Sequence, residues 1–459
     1  MLDQLLAPDL RAAIQDGQLD GVVEFFGECH PADIAELLQA LEPAEALVLL
    51  QRLDEQHRAD VVSELPGSYQ AELAALLGAP ELAALSSSLD PDDRVDLLKA
   101  LPQEQMDEVV AELDAEDRAE VERLFSYEEG TAGSVMTSEY IALPAGLSVS
   151  EAMAKIRAEA HDKESVYNSY IVDGGGRLLG KVTLRDLILA EPTSPVEAIM
   201  DDQVPSVGAA EDQAEAIYKL SHYDLVDIPV LGSGGELVGL ITHDDAMDAM
   251  EDEHTEDMER FMAIAGSHDD AGYLQTPTLS HFKNRVLWLV ALAAFGLVSG
   301  AILQGFESTL MNLMILAFYM PMLAGTGGNT GSQSATMVVR ALSLKEITPR
   351  DALKVLWKEF RVALLLGIVL GAVAFLRVYL IPAGTGLPEG ITLPMVGLAI
   401  ALALTLQVIS STVLGAALPL AAARFGADPA LVASPALTTV VDITGLLIYF
   451  TTAKLVLGV

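Results

Sequence analysis

Phe318-Tyr-Met-Pro-Met-Leu-Ala-Gly-Thr-Gly-Gly-Asn-Thr-Gly-Ser-Gln-Ser-Ala-Thr-Met-Val-Val-Arg340 lies between strongly apolar stretches, and its composition decides how the carboxy-terminal half of the chain is read. Gly325, Gly327, Gly328 and Gly331 interleave with Asn329, Ser332, Gln333 and Thr336. Polar side chains at bilayer depth are costly unless they face protein or a water-filled path. Glycines let backbones approach, and Pro321 is expected to loosen the helical ladder and free a carbonyl. Two readings stay open on this segment alone: a small-residue packing seam, or the lining of an ion pathway. Asp442 bears on the choice. It sits in Ala436-Leu-Thr-Thr-Val-Val-Asp-Ile-Thr-Gly-Leu-Leu-Ile-Tyr449, with no lysine or arginine before Lys454. A carboxylate there points to a functional site, and its natural partner is a cation that is not part of the chain.

The charge is unevenly placed. The total is −40, yet residues 281–459 carry seven acids against eleven bases, so residues 1–280 hold about −44. An acidic body on an apolar anchor repels nucleic acid and anionic headgroups and attracts cations. The single Cys29 excludes an intrachain disulfide and a cysteine metal cage, which fits a reducing compartment. The start, Met-Leu-Asp-Gln-Leu-Leu-Ala-Pro-Asp, has no basic region followed by an apolar core, so no cleaved signal peptide is expected.

Leucines at 41, 53, 65, 77, 89, 101 and 113, continued by Phe125, give a twelve-residue period, with turn residues close behind each. Residues 1–127 therefore read as short helices, such as Ala44–Arg52 and Arg94–Ala100, that stack because none can bury its apolar face alone. Residues 128–250 hold two copies of a module of about sixty residues. Ser134-Val-Met-Thr137 is echoed by Ala198-Ile-Met-Asp201, and Gly180-Lys-Val-Thr-Leu-Arg-Asp186 by Gly239-Leu-Ile-Thr-His-Asp-Asp245. The hydrophobic-Gly-hydrophobic-hydrophobic-Thr-x-x-Asp ending resembles a pair of CBS domains. That resemblance implies an adenine-nucleotide cleft, with Tyr170, Arg185 and Asp186 as candidate contacts. No Walker loop, kinase signature or phospho-aspartate motif is present, which argues against ATP hydrolysis as an energy source.

The acidic run from Asp244 to Glu259 carries Met247, Met250, Met258, Phe261 and Met262 as an apolar stripe, so residues 251–280 open with a helix expected to reach about Ile264. Neighbouring like charges weaken such a helix unless cations intervene, and oxygen-only ligands suit Mg2+ or Ca2+. Residues 281–459 contain five expected spans: Val286–Phe306, Ser308–Val339, Val362–Ile381, Ile391–Leu420 and Ala430–Leu457. Arg340, Lys345, Arg350, Lys354, Lys358, Arg361, Lys283, Arg285 and Arg424 fall on one side, while the loops at Glu307 and Pro382–Gly390 have no base. This places the N-terminal body in the cytoplasm of a cell with its inner (plasma) membrane crossed five times and the C-terminus outside.

The Gly-Thr-Gly-Gly-Asn-Thr-Gly-Ser-Gln-Ser-Ala-Thr string, Leu303-Gln-Gly-Phe-Glu307, Asp428-Pro-Ala430 and Asp442-Ile-Thr-Gly445 closely resemble the MgtE family of magnesium transporters. The resemblance covers the whole chain. It implies a multidomain membrane protein: an all-α superhelical N-domain, an α/β CBS-domain pair, a long connecting helix and a five-helix transmembrane domain. It further implies a homodimeric Mg2+ channel gated by cytosolic Mg2+, and no enzyme. Asp442 of each subunit would hold a hydrated ion, helped by Asn329, Ser332, Thr336 and backbone oxygens near Gly328 and Gly445. Ser332 stands where relatives often carry Asn. Gate and sensor positions would fall on Asp60, Asp92 and Asp96, on Asp224, Asp245 and Asp248, and on Glu253, Glu256, Asp257 and Asp428. The rival readings are a transporter of Co2+ or Mn2+, a CBS-regulated membrane enzyme, for which the spans offer only Glu346, Asp351, Glu359 and Asp428 and no repeated Asp motif, and a non-transporting scaffold.

Overall fold

The computed structural model describes residues 2–163, 165–264, 273, 276–380, 387–430 and 435–458. Two compact units divide the chain near Glu253.

In the first unit ten helices follow one another: α1 (Leu2–Asp16), α2 (Asp20–Phe26), α3 (Pro31–Leu38), α4 (Pro43–Leu50), α5 (Glu55–Ser63), α6 (Gly67–Ala74), α7 (Ala79–Ser87), α8 (Pro91–Lys99), α9 (Gln103–Glu112) and α10 (Ala115–Leu124). Proline opens α3, α4 and α8, where a missing N–H costs nothing. Asp54 caps α5 and Asp114 caps α10 through the first free amides. The periodic leucines fall in the corners between helices. The amides of Leu41, Leu53, Leu65, Leu77, Leu89 and Leu101 each bond the carbonyl three residues back, while most of these side chains are buried in the two solenoid cores. One residue thus closes a helix and docks it on the next, which is why the period is so regular.

The CBS pair builds two matching three-stranded sheets. β1 (Ala142–Pro144) runs parallel to β2 (Asn168–Val172), which pairs antiparallel with β3 (Leu178–Thr183); β4 (Val207–Gly208), β5 (Asp227–Leu231) and β6 (Leu237–Thr242) repeat the order. Helices α11 (Val149–Glu159), α12 (Leu184–Leu189) and α13 (Gln213–His222) complete the modules. The repeated Met and Gly motifs interlock across the pair. A Cβ on Gly239 would stand 2.6 Å from Met136 Sδ and 2.7 Å from Thr137 O, and one on Gly180 2.8 Å from both Met200 Sδ and Asp201 O. Each module's leading segment therefore lies on the other module's strand, over a glycine that leaves room for it. Helix α14 (His243–Phe261) follows directly from β6.

The second unit holds α15 (Thr278–Gly305), α16 (Glu307–Asn312), α17 (Met320–Ser343), α18 (Ala352–Leu380), α19 (Leu393–Arg424) and α20 (Pro435–Leu457). Among the described residues, four helices are long and apolar enough to cross a membrane, those containing α15, α18, α19 and α20. Helix α17 has the length, about 36 Å at 1.5 Å per residue, but its glycines and hydroxyls dilute its hydropathy. The span expected at Ser308–Val339 is not one helix: α16 ends at Asn312, Met314–Tyr319 forms a 3-10 turn, and α17 then begins. Pro321 stands in the first turn of α17, so it opens a helix and does not loosen one from within. The non-helical stretch is shielded, since Leu313, Ile315, Leu316 and Tyr319 are buried and the Tyr449 hydroxyl donates to the Leu316 carbonyl at 2.8 Å. Two bases also lie at the ends remote from the basic loops, Arg377 and Lys454 in the last turns of α18 and α20, and the Arg377 guanidinium sits 5.9 Å from the Tyr319 ring. Most of the Pro382–Gly390 loop, the linker after Ile264 and the first turn of the expected fifth span lie outside the described residues.

Helices α17 and α19 touch backbone to backbone: a Cβ on Gly415 would stand 2.2 Å from Gly331 O. Gly415→Ala is expected to cost about 1–3 kcal/mol of membrane-domain stability, read as a lowered melting temperature in detergent. Gly300→Ala on α15, where a Cβ meets nothing within 4 Å, is the control; equal melting of the two variants would refute the close contact.

Candidate ion sites

Helix α17 has two polar faces, which its sequence does not separate. Thr330 and Ser334 are buried. The Thr330 hydroxyl meets that of Ser411 at 2.7 Å, and Ser334 donates to Glu359 at 2.8 Å. These bonds join α17 to α19 and α18 within one protomer. Asn329, Gln333 and Thr336 lie on the opposite, exposed face with the half-buried Ser332. Together with Met337 they line an open depression of about 530 Å³. The Thr336 hydroxyl is turned back to the Ser332 carbonyl at 2.8 Å.

Helix α20 runs antiparallel beside α17. A Cβ on Gly327 would lie 3.0 Å from Val441 Cγ1, and one on Gly331 3.5 Å from Val441 Cγ2. Val441 thus spans the turn that carries Asn329, and the neighbouring Asp442 sits at the same depth, half-buried. Among the described residues no ion pair reaches Asp442. Gly328 faces Thr438 of α20, its Cβ position 3.5 Å from Thr438 Cγ2. Gly445 faces inward, where a Cβ would collide with the Gln407 amide at 2.5 Å. The glycine at 445 is thus explained by packing, whatever its carbonyl does.

In the first unit, acids from the solenoid and the CBS pair gather where Val95 and Leu124 join the core of the second CBS module. Burial first, then Asp90, Asp245, Asp96 and Glu64, push the Asp93 carboxyl up to about 7. Burial raises Asp90, with Asp60 adding to it. Glu139 is pushed up to about 7, again by burial first, with Lys163 opposing and Asp90 and Glu120 adding. Asp245 is raised by burial, opposed by its bond from the Thr242 hydroxyl at 2.6 Å. Arg94, which faces this cluster, is already occupied by Asp117 at 2.9 Å, Glu120 at 3.2 Å and the Ser86 and Leu89 carbonyls.

Of the acids singled out from sequence, Asp60 and Asp92 are half-buried in the solenoid, Asp60 accepting from Gln56 at 2.9 Å. Asp96 is exposed and paired with Lys99 at 3.0 Å. Asp224 is exposed in the left-handed turn that ends α13, at φ 52°, with the Leu225 amide reaching back to Leu220 O; aspartate tolerates that conformation better than most residues. Asp248 and Glu253 lie along α14, and crowding by Asp244 and Glu251, after burial, raises Asp248. Sequence reasoning missed Asp90, Asp93 and Glu139, because helix faces of separate modules meet only in the fold. Among the described residues no group of three or more His, Cys, Asp or Glu is placed to hold a bare metal ion.

In the second unit the end of α14 meets the loop before α20. Arg260 joins Glu256 and, at 3.3 Å, Asp428, whose other oxygen accepts the Ala430 amide at 2.8 Å. Burial and then Asp428 raise Asp257. Phe261 packs on the small core of Ala335, Leu437 and Val441. A fixed cation thus already stands between two acids that sequence alone assigned to an exchangeable one.

In the nucleotide region, Tyr170 is wholly buried and its hydroxyl bonds Asp227, beside Asn168 Nδ2 at 2.8 Å from the same carboxylate. Asp186 closes a capping box with Thr183, and Arg185 is exposed.

Comparison with known proteins gives a consistent result. A family model described as a divalent cation transporter, MgtE, matches residues 320–452; the MgtE intracellular N domain matches 29–130; and CBS domains match 132–192 and 196–252. Magnesium transporter MgtE of Thermus thermophilus is 39% identical over 459 residues, 99% of each chain. Magnesium transporter MgtE of Bacillus subtilis is 32% identical over 430 residues, covering 91% of this chain and 92% of that one. A crystal structure of the cytosolic domain of the Mg2+ channel MgtE in complex with ATP superposes with a TM-score of 0.51 at 37% identity, covering 53% of this chain and all of that one.

The raised acids fix a pH dependence. Asp93 and Glu139 stand at about 7 when folded, above the ~4 of unfolded carboxyls. Between those values the folded chain keeps protons that the unfolded chain has released, so stability falls as pH rises through that window. In divalent-free buffer, trypsin should release the N-terminal region faster at about pH 8 than at about pH 5.5, and Asp93→Asn should shrink the difference. A slope unchanged by Asp93→Asn would count against the assignment.

Proposed function

The chain belongs to the MgtE family of transporters, and on that premise we propose that it is a Mg2+-selective channel for magnesium uptake down the electrochemical gradient, closed by cytosolic Mg2+. The observation that carries this reading is Asp442, which no ion pair reaches among the described residues, at the depth of an exposed face bearing Asn329, Ser332, Gln333 and Thr336. Such a face is costly against lipid. A homodimer that turns the α17 faces and both Asp442 carboxylates toward each other would line a wet path. Mg2+ surrenders its water reluctantly. The pore therefore takes the hydrated ion, through second-shell hydrogen bonds to Asp442, Asn329, Ser332, Thr336 and carbonyls near Gly328 and Gly445. Flux follows the membrane potential, worth about 4.6 kcal/mol per divalent ion per 100 mV.

The protein lies in the inner (plasma) membrane with the N-terminal body cytoplasmic and the C-terminus outside, as the basic loops suggest. The sensor is the acidic body. Asp60, Asp92, Asp96, Asp224, Asp245, Asp248, Glu253, Glu256, Asp257 and Asp428 supply oxygen donors of the type Mg2+ takes. Beside them, burial first and neighbouring acids after it raise Asp93, Asp245 being one of those neighbours. At low Mg2+ their repulsion opens the body; hydrated Mg2+ bridges them and draws α14 into the closed arrangement. An adenine nucleotide, by analogy with the ATP-bound relative, would sit in the CBS cleft near Arg185 and Asp186, with Tyr170 behind it.

In liposomes holding the purified protein, Mg2+ influx is expected with wild type and lost with Asp442→Asn; influx unaffected by the substitution removes Asp442 from the pore. Ion substitution with Co2+, Mn2+ and Ca2+ in the same vesicles reads selectivity. Mg2+ should shield α14 from protease where Na+ of matched ionic strength does not. Equal shielding by both would sink the sensor.

A further inference from the structure

Gln407 of α19 is the buried polar group that the pore reading leaves unused. It is fully buried. Its amide fills a slot between the two helices that carry the candidate ion site: a Cβ on Gly327 of α17 would lie 2.4 Å from Nε2, and one on Gly445 of α20 2.5 Å from Nε2 and 3.0 Å from Oε1. Nε2 donates to the Val441 carbonyl at 3.0 Å, one residue before Asp442. The Thr444 hydroxyl also reaches that carbonyl, at 3.2 Å. Oε1 is buried with no hydrogen-bond partner.

An orphaned amide oxygen is unfavourable in a protein interior, and doubly so at membrane depth. Methionine would fill the same space without it. Packing alone therefore does not account for glutamine here, and what distinguishes it is the bond to the Asp442 turn. We propose that Gln407 is a positioning residue for the ion site: by pinning the Val441 carbonyl against the glycines of α17, it sets the separation between the Asp442 carboxylate and the Asn329–Ser332 face, and so the size of hydrated cation accepted. The proposal rests on the transport reading above.

The test uses the full-length protein in liposomes. Gln407→Met keeps the volume and removes the donor. The half-saturating Mg2+ concentration is expected to rise about fivefold, the equivalent of one ordinary hydrogen bond, and discrimination against Ca2+ to fall, with gel-filtration elution and melting temperature retained. A purely structural role would lower the melting temperature and leave half-saturation and selectivity at wild-type values, which overturns the proposal. Should Gln407→Met fail to assemble, a pair decides. Gly445→Ala forces the amide off Val441, and Gln407→Ala vacates the space that the new methyl needs. The double variant should assemble and show the same shift as Gln407→Ala, because both act through one bond. Additive shifts, or wild-type half-saturation in the double variant, overturn the role of Gln407. Wild-type protein that carries no Mg2+ would instead sink the transport reading.

Discussion

A carboxylate half-buried among apolar helices, as Asp442 is, with no ion pair reaching it among the described residues, is costly unless water or a cation comes to it. Much of the membrane unit follows from that need at Asp442. On the transport reading the counter-charge arrives and leaves, and the helix opposite would offer it oxygen and amide groups without closing the way. Helix α17 meets this by dividing its faces. Thr330, Ser334, Gly327 and Gly331 anchor it to α19, α18 and α20, which leaves Asn329, Ser332, Gln333 and Thr336 on the outer face. The same glycines that let the helices touch place Asp442 and Asn329 at one depth.

The amino-terminal half shows the complementary case. Asp117 and Glu120 are held by Arg94, and Asp96 by Lys99. At the seam between solenoid and CBS pair Asp90, Asp93, Glu139 and Asp245 hold protons more tightly than usual, through burial first and neighbouring acids after it, with Arg94 opposing at Asp90 and Lys163 and Arg94 at Glu139.

Much of this was legible in the sequence where one residue does one local job. The leucine period read true because each leucine both ends a helix and docks it, and the Thr-x-x-Asp ending read true because Thr183 and Thr242 bond the aspartates three residues on. The division of α16 from α17 was not legible. Residues 308–320 are apolar enough to read as the opening of a span, and only the buried 3-10 turn, with Tyr449 of a remote helix on its carbonyl, shows where the chain breaks. Asp93 was passed over in favour of Asp92 and Asp96, since a nine-residue helix gives no sign in its own sequence of which face meets another module. Gln407 gave no local signal either. Its meaning depends on two glycines eighty and thirty-eight residues away.

Arg260 brings the two halves of the argument together. It stands between Glu256 and Asp428, so at this point the end of α14 is tied to the loop before α20 by a permanent cation. A fixed charge holds its partners at every ion concentration; an exchangeable one holds them only when the ion is abundant. Exposed ion pairs are weak, roughly 0–1 kcal/mol each, so the Arg260 link does not hold the helix end alone. Phe261, one residue on, seats the same end of α14 on Ala335, Leu437 and Val441. The end of α14 thus has two ties that need no exchangeable ion, and one of them, at Val441, adjoins Asp442.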